Sequence, residues 1–215
     1  MNYVFIGIQG SGKGTQARLL EEKHDFRLFE SGWALRVIAQ EESDLGKSVK
    51  ETIEVWNHVS PEVIEDIMKD ILDNKLDRTH GIFDGFVRNI GNKITADNVL
   101  GDYRVVLFNL SEEKAKQRLL GRMYNPKTGE TFMSGVTIDP ETWDELVKRA
   151  DDEEEAILKR IKLYVDLALP LIEEYKKEGI LIEVNADQAV EDVFIELEEK
   201  LELSNDFCSV NFDND

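Results

Sequence analysis

The segment Gly7-Ile8-Gln9-Gly10-Ser11-Gly12-Lys13-Gly14-Thr15 sets a glycine-rich turn and a lysine between an apolar run and a helical pattern. Strand, glycine loop and helix in that order form the context in which such a loop cradles phosphate. The glycines let backbone N–H groups wrap around phosphate oxygens, and the N-terminus of the following helix adds its dipole. Lys13 supplies a point charge between the β- and γ-phosphates. Gly14, rather than serine or threonine, follows that lysine, so the usual hydroxyl ligand to Mg²⁺ is missing. A glycine-rich turn with no ligand is the plain alternative. Asp84 ends a second apolar run, Ile82-Phe83-Asp84, at the strand end where ligands of α/β sheets gather. It is assigned to Mg²⁺ held through water, with capping of the next turn as the alternative.

Composition limits what these groups can serve. The 215 residues carry 26 Lys+Arg against 45 Asp+Glu, a net charge of −19. That balance repels nucleic acid and anionic lipid, and neither is expected as a partner. The one cysteine, Cys208, lies in a polar tail, which leaves no internal disulfide and no Cys-based metal site. No apolar run approaches a membrane span and the N-terminus lacks a basic leader, so the expected location is the cytoplasm. His24, His58 and His80 are spaced neither as metal ligands nor as a base with an orienting carboxylate, and surface or loop roles are expected for them.

The elements that must position the loop and Asp84 are legible in the pattern. Tyr3–Ile6 is continuously apolar, as a strand buried on both faces of a parallel sheet must be. Phe26–Phe29, Gly81–Phe83, Val105–Phe108 and Ile180–Val184 repeat that character, separated by helical patterns. Ser60-Pro61-Glu62 reads as N-cap, first-turn proline and acid, opening a helix whose apolar face is Val63, Ile64, Ile67, Ile71 and Leu72. Ser111-Glu112-Glu113 opens another. A third runs from Asp151 to Lys177, with a break or kink expected at Pro170 and Gly179 as its terminator. The alternation predicts a doubly wound α/β fold around a five-stranded parallel sheet. Its core spans 1–29, 60–121 and 151–203; 30–59 is a small helical insertion, 122–150 a turn-rich polar one, and 204–215 an acidic tail expected to be disordered.

The lysine-glycine-threonine form of the loop resembles the nucleoside monophosphate kinases, and within them the adenylate kinase family. The likeness extends from Asn2 to about Leu203. Where that family reads Thr-Gly-Asp-x-Leu-Arg, the chain has Ser31-Gly32-Trp33-Ala34-Leu35-Arg36, keeping a hydroxyl and losing an acid. Where it reads Asp-Gly-Phe-Pro-Arg-Thr-x-x-Gln, the chain has Asp84-Gly85-Phe86-Val87-Arg88-Asn89-Ile90-Gly91-Asn92. Arg118-Leu119-Leu120-Gly121-Arg122 matches the start of the family's lid, and Arg149-Ala150-Asp151-Asp152 with Arg160 matches its end. Six of the chain's ten arginines stand at these positions. In a protein of charge −19, cations must be concentrated where phosphates sit, and arginine does this best through bidentate contact. Each arginine alone could be an ordinary surface ion pair.

The resemblance implies Mg²⁺-dependent transfer of a phosphoryl group from ATP to AMP by a monomer. Gly10, Ser11, Gly12, Lys13, Gly14, Thr15, Arg118 and Arg122 are then the ATP site, with Arg118 stacked on adenine. Ser31, Gly32, Arg36, Val59, Gly85, Arg88, Asn92, Arg149 and Arg160 are the acceptor site. Lys13, Arg36, Arg88, Arg122, Arg149 and Arg160 neutralise the phosphates in flight, oriented in part by Asp151 and Asp152. The acceptor is already an ionised phosphate, so no general base is needed. Part of the family holds its lid with zinc on paired cysteines. The matching positions here are Asn125, Thr128, Asp139 and Thr142, which suggests a hydrogen-bond network and no structural zinc, with ordinary turn residues as the alternative. Arg88-Asn89-x-x-Asn92 also resembles UMP/CMP kinases, against which stand Ser31 and the long lid. Trp33 and Val87 leave open a non-catalytic relative, and Val87 in place of proline predicts a freer loop around Asn92.

Overall fold

A computed structural model of the chain describes residues 1–54, 60–74, 80–132, 135–149 and 152–203. In chain order its elements are β1 (Asn2–Gly7), α1 (Lys13–His24), β2 (Arg27–Glu30), α2 (Ser31–Ile38), α3 (Asp44–Glu54), α4 (Pro61–Asn74), β3 (Gly81–Asp84) and α5 (Ile90–Val99). They continue with β4 (Tyr103–Asn109), α6 (Glu112–Gly121), β5 (Met123–Tyr124), β6 (Thr131–Phe132), α7 (Glu154–Glu178), β7 (Leu181–Asn185) and α8 (Val190–Lys200). Five strands form one parallel sheet in the order β2-β3-β1-β4-β7. The chain leaves β1 toward β2 and β3, then crosses to β4 and β7. The switch point therefore flanks β1, and a crevice opens beyond its carboxyl end, where the glycine loop begins.

The continuous apolar run of β1 has a direct cause. Val4 and Ile6 join one buried cluster with Ile64 and Met68 of α4, Ala96 of α5 and Leu171 and Tyr175 of α7. Tyr3 and Phe5 point the other way, into a cluster with Ala17 and Leu20 of α1 and Val193, Phe194 and Leu197 of α8. Alternate side chains of one strand thus serve both faces, and neither face can be polar. This burial fixes β1, and with it the origin of the loop.

Several expectations needed correction. α7 runs unbroken through Pro170, although proline removes one hydrogen bond and crowds the preceding turn at about 3 kcal/mol. Burial of Ala168, Leu171 and Tyr175 on either side holds it. It begins at Glu154 rather than Asp151, which lies outside the described residues together with Val59, Cys208 and the tail 204–215. The stretch read as turn-rich carries β5 and β6, an antiparallel pair, and Tyr124 also bridges Val147. Met68, missed from the α4 face, is fully buried, and the side chains of Ile71 and Leu72 lie outside the description. His24 does meet a carboxylate: its Nε2 lies 2.6 Å from Glu198 Oε1, tying α1 to α8. No helix among the described residues is long and apolar enough to cross a membrane.

Candidate active site

The loop after β1 turns into α1 at Gly12, whose φ of +89° is a left-handed conformation that side chains rarely adopt. Gly12 has no side chain with which to cap the helix, so the first amides of α1 are left to an anion. Lys13 Nζ folds over the loop and donates to Gly7 O at 2.7 Å, Ile8 O at 3.1 Å and Ser11 Oγ at 3.3 Å. Burial lowers the Lys13 pKa; Asp84 opposes that shift, whereas Arg88 and Arg122 add to it. Burial raises the Asp84 pKa, against the pull of Lys13 and with the push of Glu30. Asp84 Oδ1 is buried and accepts no hydrogen bond from the described residues, an orphaned acceptor at the end of β3.

Beyond β3 the chain turns at Gly85, where φ is +76° and any Cβ would stand 2.7 Å from Ser31 Oγ. That closeness brings the start of α2 onto the core. Arg88 bridges the two, Nε donating to Gly85 O at 2.8 Å and Nη2 to Ser31 Oγ at 3.4 Å. Burial lowers the Arg88 pKa as well, with Asp84 opposing and Arg160 reinforcing. Arg36, one turn after Gly32, curls back beside it. On the opposite wall, Arg118 donates to Ala186 O at 2.9 Å and to Gly10 O at 3.4 Å, joining the glycine loop to the segment after β7. Arg122 and Arg160 share the buried carboxylate of Asp152. The Arg149 guanidinium lies 4.3 Å from the centre of the Tyr124 ring, a cation–π contact.

These groups surround one cavity of about 660 Å³. Gly10, Ser11, Gly12, Lys13, Gly14, Thr15, Ser31, Gly32, Arg36, Asp84, Gly85, Arg88, Arg118, Arg122 and Arg149 all line it. Arg160 and Asn92 do not. The loop carrying Asn92 is not free as the loss of proline suggested. Asn89 Oδ1 accepts from the Asn92 N–H at 2.9 Å, and Asn92 Oδ1 accepts from the Arg88 N–H at 3.3 Å, while Val87 is buried in the core. This reciprocal cap commits the acceptor half of the Asn92 amide and leaves Nδ2 buried without a partner.

Arg18, Glu30, Trp33 and Tyr164 also line the cavity and were not anticipated. Tyr164 is pushed up to about 12 by burial and stays protonated at neutral pH. Trp33 stands where the related motif carries an acid; its ring lies beside Gly129 of the β5–β6 turn. Arg18 and Glu30 had a positional signal: Arg18 is on the helix that Lys13 opens, and Glu30 ends a strand at the ligand edge of the sheet.

At the far end of the 122–149 segment, Asn125 Nδ2 donates to Asp139 Oδ2 at 2.7 Å and to Thr142 Oγ1 at 3.1 Å. Asn125 Oδ1 accepts the amides of Lys127 and Thr128, and Asp139 Oδ1 those of Glu141 and Thr142. Thr128 Oγ1 takes only the Glu130 amide among these bonds, so it serves its own turn rather than the cross-link. Among the described residues no three His, Cys, Asp or Glu side chains come together as a metal site.

Comparison with known proteins agrees with this geometry. The family model described as Adenylate kinase matches residues 5–180. The chain is 32% identical to the adenylate kinase of Chloroherpeton thalassium, over 94% of its own length and 98% of that protein. It is also 32% identical to the adenylate kinase of a Hydrogenobaculum species, over 94% and 100%. Identity to adenylate kinase 2 of Schistosoma mansoni is 30%, over 93% and 88%. These matches support the adenylate reading over the UMP/CMP one. With its glycine loop, its ring of cations and likeness over nearly its whole length, the chain belongs to the adenylate kinase family, a family of phosphotransferases acting on nucleoside monophosphates.

Proposed function

We propose that this chain, as a cytoplasmic monomer, transfers the γ-phosphoryl group of Mg-ATP reversibly to AMP, giving two ADP. The observation that carries the reading is the convergence of Lys13, Arg36, Arg88, Arg118, Arg122 and Arg149 on one cavity in a protein of charge −19. So many buried and partly buried cations are stable together only if an anion of comparable charge enters among them.

In this reading the amides of Gly12 to Thr15 and the Lys13 ammonium hold the donor phosphates, and Arg118 covers the donor base. Lys13 is released from its own loop carbonyls when phosphate oxygens replace them. Arg88 and Arg36 grip the acceptor phosphate. Arg122 and Arg149 face the transferring group and neutralise the charge spread over its oxygens, while Arg160, set back from the cavity, shares Asp152 with Arg122 and supports it from behind. Asp84 fits a hydrated Mg²⁺, because its orphaned Oδ1 needs a donor and a metal-bound water is one. When bound, the ion neutralises phosphate charge and orients the polyphosphate. Folding of the 122–149 segment over the cavity excludes water and suppresses ATP hydrolysis, a closure for which adenylate kinases are a standard instance. Ser31 lines the acceptor side of the cavity, whereas Asn92 lies behind the lining with its amide oxygen committed to the Arg88 N–H, so it acts on the acceptor through the position of Arg88, which supports AMP preference of modest stringency.

The test is stoichiometry. Purified protein with Mg-ATP and AMP yields two ADP for each ATP consumed, and ATP alone is hydrolysed far more slowly. Release of inorganic phosphate at a rate comparable to ADP formation contradicts the reading.

A further inference from the structure

Gly14 leaves the phosphate loop without the hydroxyl that follows the lysine in many such loops, and the structure shows what stands there instead. Glu30 and Asp84 are in register at the carboxyl ends of the adjacent parallel strands β2 and β3, so their side chains leave the sheet on one face. Both reach Gly14: the point where a Cβ would sit is 3.2 Å from Glu30 Oε1 and 3.7 Å from Asp84 Oδ2. Two carboxylates therefore flank the glycine. A hydrated Mg²⁺ would keep its water shell between such groups, and Glu30 and Asp84 are the carboxylates placed to accept hydrogen bonds from it.

The surrounding charges leave this pair open to a cation. Lys13 Nζ is turned to the carbonyls of Gly7 and Ile8 and to Ser11. Arg18 Nη2 bonds Glu30 Oε2 at 3.0 Å and the Gly129 carbonyl at 3.3 Å, which orients the Glu30 carboxylate and leaves Oε1 directed at Gly14. Asp84 Oδ1 accepts nothing. Two like charges facing one glycine of a phosphate loop are costly, a cost that Arg18, Lys13 and Arg88 offset in part and a cation shared with the nucleotide would offset further.

Resting on the Mg-ATP reading above, we propose that Glu30 is a second metal-positioning carboxylate. Together with Asp84 it binds the water shell of the nucleotide-bound Mg²⁺ and supplies the anchorage that a hydroxyl at position 14 supplies elsewhere. Arg18 offsets part of the Glu30 charge through Oε2 and is not itself needed for the metal.

The experiment is Mn²⁺ binding, followed by electron paramagnetic resonance, to the full chain saturated with a non-transferable ATP analogue. Glu30→Gln and Asp84→Asn are each expected to weaken Mn²⁺ binding about tenfold, as loss of an outer-shell partner does, with analogue affinity in EDTA unchanged. Arg18→Met is expected to leave Mn²⁺ affinity equal or tighter, because it restores full charge to Glu30. If Glu30→Gln does not fold, Glu30→Asp keeps the charge on a shorter arm and is expected to weaken Mn²⁺ by a smaller factor. Mn²⁺ affinity within about twofold of wild type in the Glu30 variant overturns the proposal, as does an Arg18→Met loss equal to that of Glu30→Gln, which would mark a purely structural ion pair. Weakening in Asp84→Asn alone overturns the Glu30 assignment and leaves the Mg-ATP reading standing. Weakening in neither overturns both.

Discussion

Asp152 grips Arg122 with both carboxylate oxygens, Nε to Oδ2 at 2.8 Å and Nη2 to Oδ1 at 2.6 Å, and the same Oδ1 takes Arg160 at 3.0 Å. The carboxylate is almost wholly buried and couples the two guanidinium groups inside the protein. Bidentate pairing of this kind fixes direction as well as charge. Asp152→Asn keeps the shape and removes the charge. Loss of charge-assisted bonds to two arginines is expected to lower kcat by about 10- to 100-fold, with KM for ATP little changed. Unchanged kcat means that Arg122 and Arg160 are oriented by something else.

Lys13→Met and Arg88→Ala each remove a cation from the cavity where the proposed transfer takes place. Each is expected to lower kcat by at least about 100-fold while far-ultraviolet circular dichroism stays that of the wild type. Arg88→Ala also unties Ser31 from Gly85, so KM for the acceptor is expected to rise in that variant alone. Near-normal kcat in either variant removes these cations from the chemistry.

Long-range features were legible in the sequence where one physical cause dominated. β1 must be apolar on both faces, so Tyr3–Ile6 announces a central parallel strand, and the glycines with Lys13 announce the loop after it. The helix at Pro61 was marked by its own cap and first turn. What failed was local rules overridden by neighbours. Pro170 reads as a break or a kink, and packing of Leu171 and Tyr175 carries the helix through it without a break. β5 and β6 have two residues each, too few for any period to show. Val87 suggested slack around Asn92, but Asn89-x-x-Asn92 is itself a cap pattern that tightens the turn. Glu30 looks in sequence like any of 45 acids; only the register β2 against β3 sets it opposite Asp84.

The Asn125–Asp139–Thr142 network joins the two arms of the 122–149 segment without a thiolate. Asn125→Ala removes the side-chain donor from Asp139 and the cap on Lys127. Amide hydrogen exchange across residues 123–147 is expected to quicken about tenfold relative to the sheet, which keeps its rates. Elemental analysis of the purified protein is expected to give no stoichiometric zinc. Exchange unchanged in the variant, or one zinc per chain, contradicts this account of the segment.

Acid should loosen the same segment through its paired carboxylates. The Asn125 amide, with the Glu141 and Thr142 backbone N–H groups, holds the Asp139 carboxyl below the usual range against the opposing effect of burial. Lys127 does the same for Asp144. A carboxylate with a depressed folded pKa stabilises above its unfolded value, near 3.9, and that contribution is lost as pH falls through the folded value. The wild-type segment is therefore expected to stay protected to below about pH 4. In Asn125→Ala the onset of exchange should move to higher pH. An onset that does not move separates the acid response from Asp139.

The central claim is that the cavity joins ATP to AMP, and the acceptor base tests it most directly. With Mg-ATP as donor, kcat/KM is to be compared for AMP, CMP, UMP and GMP. The prediction is that AMP leads and that CMP or UMP gives measurable side activity, because the Asn92 amide is committed to the Arg88 backbone behind the cavity lining and does not read the base directly. If CMP or UMP instead exceeds AMP by tenfold or more, about 1.4 kcal/mol of transition-state discrimination, the claim is contradicted.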